Sequence, residues 1–386
     1  MEKENIKNYE DIRSYRDDEV NGAILQLLKD KRFTHVLSYI FKDPKKLKEV
    51  SKLLLGIHSI EELQTKFMYS IIKEWIIDRI TNGVTCSGLD NLDKNQSYVF
   101  ISNHRDIILD AALLNYIVFN GGMKTTEIAI GDNLLIYKWI YHIVKLNRAF
   151  IVKRNLPARQ LLAASIKMSS YIRQRITKGN VSVWIAQREG RTKDGNDQTQ
   201  SSVLKMLNLS DKKGFAEGFD ELKIVPFSIS YEREPCGISK VEELYKKDRE
   251  GYVKTSKDDL ESMGYGLMRP KGRIHFAFGK PVELDSLRGM ETSDCQNECI
   301  QKLASYIDSC IYKSYKLWPN NYLAADLLRN ENKYEDKVSD AVRAKFFEMM
   351  EDMVKTIGAG DAEAQKKLFL QMYANPVLNK EKAGEK

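Results

Sequence analysis

Tyr98-Val-Phe-Ile-Ser-Asn-His-Arg-Asp-Ile-Ile-Leu-Asp110 is the stretch whose reading decides the fold. Tyr98 to Ile101 are aromatic or β-branched and read as a short buried strand that ends near Ser102. Asn103 and His104 follow where that strand should stop. Asp106 has the chemistry to cap the apolar run Ile107 to Phe119, a helix by its pattern. A histidine is therefore expected in a strand-to-helix turn, with the Asp110 carboxylate one turn into the helix. That placement suits a general base and the acid that orients it.

Working outward, strands and helices alternate. Strands are expected at Tyr98–Ser102, Glu127–Ile130, Ala149–Val152, Val181–Ala186, Ile224–Ser230 and Arg273–Phe278, and helices at Ile107–Phe119, Leu134–Val144 and Pro157–Lys178. This order argues for an α/β domain with a mostly parallel or mixed sheet flanked by helices. Glu232 to Lys271 is charged and reads as an irregular insertion or lid. Before the sheet, residues 1–84 read as an N-terminal helical domain, its clearest helix Phe67–Ile80. The wide apolar stripe of that helix suits a small bundle better than a bilayer surface. Asn82-Gly83 and Ser87-Gly88 mark the boundary. The main domain is expected over residues 85–330. Helices Cys295–Leu317, Asn320–Arg329, Asp340–Thr356 and Ala362–Tyr373 follow the sheet, with residues 331–386 as C-terminal helices and a frayed tail from Lys380.

Composition narrows the function. The 386 residues are 42% hydrophobic and 30% charged, with a net charge of +7. These values fit a soluble globular chain, and no uncharged run of about 18 apolar residues is present to span a membrane. The charge permits attraction to an anionic membrane or a phosphorylated substrate. Its basic residues are scattered among acidic ones, without the basic-aromatic strip of a nucleic-acid binder. Five dispersed cysteines suggest reduced thiols in a cytosolic setting. Cys295 and Cys299 lie four apart on a helix, but with no histidine near them a metal site is not expected.

Four blocks carry chemistry. In the first, Asn103 to Asp110, His104 is the one histidine of five set at a strand end with two carboxylates nearby. The second, Asn147 to Arg154, presents Lys153 and Arg154 at a strand end, suited to an anion such as a phosphate. In the third, Trp184 to Gly195, Glu189-Gly190-Arg191 places a flexible backbone between an acceptor and a donor. Lys193 follows. In the fourth, Ile224 to Glu232, Pro226 inside an apolar strand suggests an edge or a shaped wall beside a pocket.

Taken in order, the blocks resemble the glycerolipid acyltransferases, most closely the bacterial glycerol-3-phosphate acyltransferase branch and its relatives acting on lysophosphatidic acid. The first block looks like the family's Asn-His-(four residues)-Asp motif. Gly131-Asp-Asn-Leu134 through Phe150 to Arg154 looks like the second, Glu189 to Lys193 the third, and Val225-Pro226 through Tyr231-Glu232 the fourth. Leu317 to Tyr322 is reminiscent of a later segment, so the likeness covers about residues 98–325. One departure stands out. The family's aspartate would fall on Leu109, and a one-residue slip on a helix turns a side chain by about 100°. Asp110 reaches the imidazole through a longer turn, or Asp106 takes the role, or the pair is impaired.

The resemblance implies an O-acyltransferase that moves a fatty acyl group from acyl-CoA or an acyl-carrier protein to glycerol-3-phosphate or 1-acylglycerol-3-phosphate, with no cofactor. His104 would be the base, aligned by Asp110 or Asp106. Lys153, Arg154, Arg191 and Lys193 would hold the acceptor's phosphate, and Glu189 and Gly190 its polyol. Peripheral attachment to the inner face of the cell membrane is expected. Two alternatives stay open: a lyso-aminolipid acceptor, and a non-catalytic acyl-carrier or membrane-binding relative.

Overall fold

A computed structural model describes residues 9–154, 156–250, 252, 255–292, 296–358 and 360–384. Seven strands form one sheet: β1 (Val84–Ser87), β2 (Val99–Ser102), β3 (Glu127–Gly131), β4 (Ala149–Val152), β5 (Val183–Ala186), β6 (Ile224–Tyr231) and β7 (Ile274–Phe278). Their spatial order is β1-β7-β6-β2-β5-β3-β4. From β6 to β4 the neighbours run parallel, while β7 is antiparallel to β6 and carries β1 parallel to itself. The sheet is mixed, and the carboxyl ends of its five parallel strands point the same way. Open sheets of this kind bind ligands at that end.

Alternating side chains feed two cores. Val99, Ile101, Val183 and Ile185 pack beneath the helices Ala158–Thr177, Ser201–Asn208 and Gln296–Ser314. Phe100, Trp184, Val225 and Phe227 pack on the other face, with Leu113, Leu114 and Val118 of the helix Leu109–Asn120. Pro226 stands in a central strand, not at an edge. Its carbonyl accepts from the Gly279 amide at 2.8 Å, and pairing with β7 begins only at Phe227. No ladder donor is therefore lost at the proline.

Several expectations need correction. The segment from Glu232 to Lys271 is not irregular: it contains the helices Gly237–Glu250 and Ser256–Met268. The run expected at Phe67–Ile80 begins at Ile60 and includes π-helical turns at Gln64–Met68 and Ile71–Ile77. Its Phe67, Ile72 and Ile76 are buried, so this stripe is used in packing. The region expected to fray from Lys380 instead continues the helix Ala362–Gly384, through Pro376. Strand β1 lies where only a boundary was expected. Its side chains are mostly exposed, so it leaves no apolar pattern to read.

Candidate active site

The histidine turn is set from below by Asn103. Its Oδ1 accepts from the Ile229 amide at 2.8 Å and its Nδ2 donates to the Ile229 carbonyl at 2.9 Å, continuing the β2–β6 pairing past the strand end. The Asp106 carboxylate accepts from the Ile108 and Leu109 amides, each at 2.8 Å, and caps the helix. The helix begins only at Leu109, two residues later than the apolar run suggests. This late start supplies the longer turn.

Asp110 occupies the first turn of that helix and looks back at the imidazole. Its Oδ2 lies 2.8 Å from His104 Nδ1 and accepts from the Arg105 and Asp106 amides at 2.6 and 2.9 Å. Oδ1 accepts from the Tyr231 hydroxyl at 2.8 Å. Burial pushes this carboxyl up, but the hydrogen bond and charge of His104 and the two amides more than offset it, so its pKa stays below the ordinary value. An ionised carboxylate only accepts, so the proton is assigned to Nδ1 and the Nε2 lone pair is left for other work. The imidazole is 16% exposed, enough to meet a ligand. Trp184 packs edge-on against it, with ring centroids 5.5 Å apart, and its indole donates to Ser102 Oγ at 2.9 Å.

A second set of contacts grips the same turn from the opposite side. Asp197, fully buried, accepts from Arg105 at 2.6 Å, from Asn103 Nδ2 at 3.3 Å and from the Tyr315 hydroxyl. Lys240 donates to the Arg105 carbonyl at 2.8 Å and pairs with Glu234, which lies 3.8 Å from the Arg105 guanidinium. Both neighbours of His104 are thus tied to one carboxylate. Residue by residue, Arg105 and Asp197 look like solvated charges, and their partners are distant in sequence; reading the chain missed them for that reason. Tyr231 had a local signal, the fourth block, but its bond to Asp110 did not.

The expected binding residues divide. Arg154 crosses Gly131, where a Cβ would lie 2.7 Å from its Nε, and its Nη1 is 3.4 Å from Glu189. The second and third blocks therefore meet. Lys153 turns to Asp11 instead, at 4.0 Å. Gly190 takes φ +67°, a left-handed conformation that favours glycine. Two residues on, the Thr192 amide donates to the His104 carbonyl at 3.2 Å and fastens the third block to the histidine turn. Arg191 is buried, 3.9 Å from Asp259, and its Nη1 has no hydrogen-bond partner. Lys193 pairs with Glu243.

Those carboxylates belong to the two helices after β6, which close over the turn. A Cβ on Gly266 would lie 2.5 Å from Asp106 Oδ2. Cys236 Sγ sits between Asp106, at 3.8 Å, and the Ser262 carbonyl, at 3.1 Å. Burial pushes the Cys236 thiol up to about 11, so it is a neutral thiol and not a nucleophile. Among the described residues no His, Cys, Asp or Glu cluster is fit to hold a metal. Cys295 lies outside the described residues, and Cys299 is buried in the core.

The sequence model of the acyltransferase family matches residues 83–231, which contain the histidine turn, the first three blocks and the fourth up to Tyr231. The dihydroxyacetone phosphate acyltransferase of Bos taurus is 26% identical over 196 residues, 49% of this chain and 27% of that protein. The human protein of the same name is also 26% identical, over 198 residues. The glycerol-3-phosphate acyltransferase of Pseudoalteromonas atlantica is 24% identical over 233 residues, 58% of this chain and 26% of that protein. The chain thus spans about a quarter of the length of the curated relatives it matches. Among solved structures, the 1-acyl-sn-glycerophosphate (LPA) acyltransferase from Thermotoga maritima aligns over 74% of this chain and 92% of its own. Its identity is 13% and the TM-score 0.36.

Proposed function

We propose, on the premise that residues 83–231 are a domain of the acyltransferase family, that this chain esterifies a phosphorylated glycerol or lysolipid acceptor from a fatty acyl thioester. The carrying observation is the His104–Asp110 pair, with Nδ1 engaged and Nε2 left available. Nε2 takes the proton from the acceptor hydroxyl as its oxygen attacks the thioester carbonyl carbon. The tetrahedral intermediate then collapses, the C–S bond breaks, and the imidazolium returns the proton to the departing thiolate. An ester and a free thiol result. A neutral Cys236 favours this direct route over an acyl-enzyme. Arg154, Arg191 and Lys193 would hold the acceptor's phosphate: Arg154 reaches the third block at Glu189, and Arg191 and Lys193 flank Thr192, which bonds to the His104 carbonyl. The donor is acyl-CoA or an acyl-carrier protein, and the site of action is a membrane surface. Among the described residues no helix is long and apolar enough to cross a membrane.

The test is thiol release from a palmitoyl thioester, with glycerol-3-phosphate, dihydroxyacetone phosphate and 1-acylglycerol-3-phosphate supplied separately. Release with one of them assigns the acceptor. His104→Ala should abolish it while leaving the circular dichroism and melting curve unchanged. Release that survives in this variant, or no release from the folded wild type with any acceptor or a lyso-aminolipid, would overturn the reading.

A further inference from the structure

The four cations expected to hold a phosphate each face a carboxylate in the structure. Lys153 faces Asp11, Arg154 faces Glu189, Arg191 faces Asp259, and Lys193 faces Glu243. The last two carboxylates come from outside the sheet. Glu243 lies on the helix Gly237–Glu250 and Asp259 on the helix Ser256–Met268, the pair that covers the histidine turn. Arg191 and Lys193, in turn, belong to the loop that Thr192 fastens to His104. Two helices are thus held over the site by charges seated on its own cations.

The contact at Arg191 leaves the guanidinium incompletely satisfied. Its side chain is 6% exposed, Asp259 stays 3.9 Å away, and the buried Nη1 has no hydrogen-bond partner. A buried donor without an acceptor is costly. A phosphate carries up to two charges and three acceptor oxygens, and can take both guanidinium edges where this carboxylate takes neither well. An uncharged polyol offers no such exchange.

We propose that Asp259 and Glu243 are specificity-determining residues. They occupy the acceptor's cations at rest and yield only to a doubly charged headgroup, so the two helices form a lid that phosphate unlatches. The proposal rests on the acyl-transfer reading for the identity of the acceptor, but the latch itself is testable without turnover.

In the kinetic arm, Asp259→Asn and Glu243→Gln are combined in the full chain and glycerol-3-phosphate is varied. Removing two largely buried competitors should lower KM about fivefold, with kcat within about twofold of wild type. Each single variant should show part of the effect. A KM that rises or stays put, in protein with a wild-type melting curve, overturns the proposal. The second arm follows hydrogen exchange of residues 237–250 and 256–268 with and without millimolar inorganic phosphate. Phosphate should speed exchange in the wild type, whereas the double variant should exchange fast from the outset and ignore phosphate. Equal exchange in all four samples also overturns it. A phosphate-responsive lid without thiol release would support the latch and sink the acyl-transfer reading, so the two failures are distinguishable.

Discussion

Asp110 reaches His104 although it stands one position beyond the family spacing, because residues 105–108 form a turn before the helix begins. The two carboxylates of that turn therefore do different work, and substitution should separate them. Asp110→Asn is expected to lower kcat by about 10²–10⁴-fold, with KM for the acceptor nearly unchanged, because the imidazole loses its orienting anion. Asp106→Asn keeps a capping oxygen and should leave kcat within about tenfold of wild type. Steady-state thiol release on both variants checks the contrast; equal losses would contradict these roles. Support from Asp197 is the subtler matter. Tyr315→Phe removes one of its donors and leaves Arg105 and Asn103 in place. We expect kcat to fall several-fold with KM and melting temperature held, since a grip on the turn acts on geometry alone. His104, Asp106 and Asp110 are legible in the sequence because the contacts that pair them with the turn are local, whereas Asn103 is fixed by Ile229 and Asp197, far along the chain. Asp197 is not legible: it meets Arg105 across 92 positions and Tyr315 across 118.

At the scale of elements, most of the sheet was readable because β2, β4, β5 and β6 are buried and rich in β-branched or aromatic residues. The lid helices were missed because charge obscures them. Thr255 and Asp258 form a capping box at the start of the second, a local signal that reading for apolar stripes passes over. The helix Gln296–Ser314 contributes a pH-sensitive contact. Asp308 accepts from the Thr199 amide and hydroxyl at 2.8 and 2.6 Å. Burial pushes its carboxyl up to about 6, and the Asp197 charge acts in the same direction, against the Thr199 hydrogen bonds. A folded-state pKa above the unfolded value means that the native chain holds this proton more tightly. Asp308 therefore costs stability as pH rises from about 4 through about 6. Asp308→Asn should stabilise the fold by up to about 3 kcal/mol at pH 8 and by almost nothing at pH 4, measured by urea unfolding. The same gain at both pH values would exclude ionisation as its cause.

Across the whole molecule, the sheet and its surrounding helices share their packing. The N-terminal helices bury Leu27, Leu37 and Phe67 in a cluster that also takes Leu146 from the helix before β4. With the Phe67–Ile80 stripe used up, exposed apolar surface lies elsewhere. After β4, residues 153–167 hold four cations and no acid. Leu161, Leu162 and Ile166 are exposed there, at 39%, 55% and 44%. Replacing Leu161 and Leu162 together by Asp should weaken co-sedimentation with anionic vesicles at least about tenfold and leave turnover of water-soluble substrates unchanged. Vesicle binding equal to wild type would remove this face from consideration. The helix Ala362–Gly384 carries a different consequence. Asn375 donates to the Asp194 carbonyl across 181 positions, and a Cβ on Gly195 would lie 2.3 Å from the Met372 carbonyl. The loop that brings Asp197 to the histidine turn is therefore braced by residues translated much later. At about 5–20 residues per second, the ribosome needs roughly 10–35 s to travel from one to the other. Within that interval β6 and β7 also emerge, so once Phe278 is made the chain can hold its sheet while the histidine turn still lacks this brace, and the turn would mature after the strands that carry it.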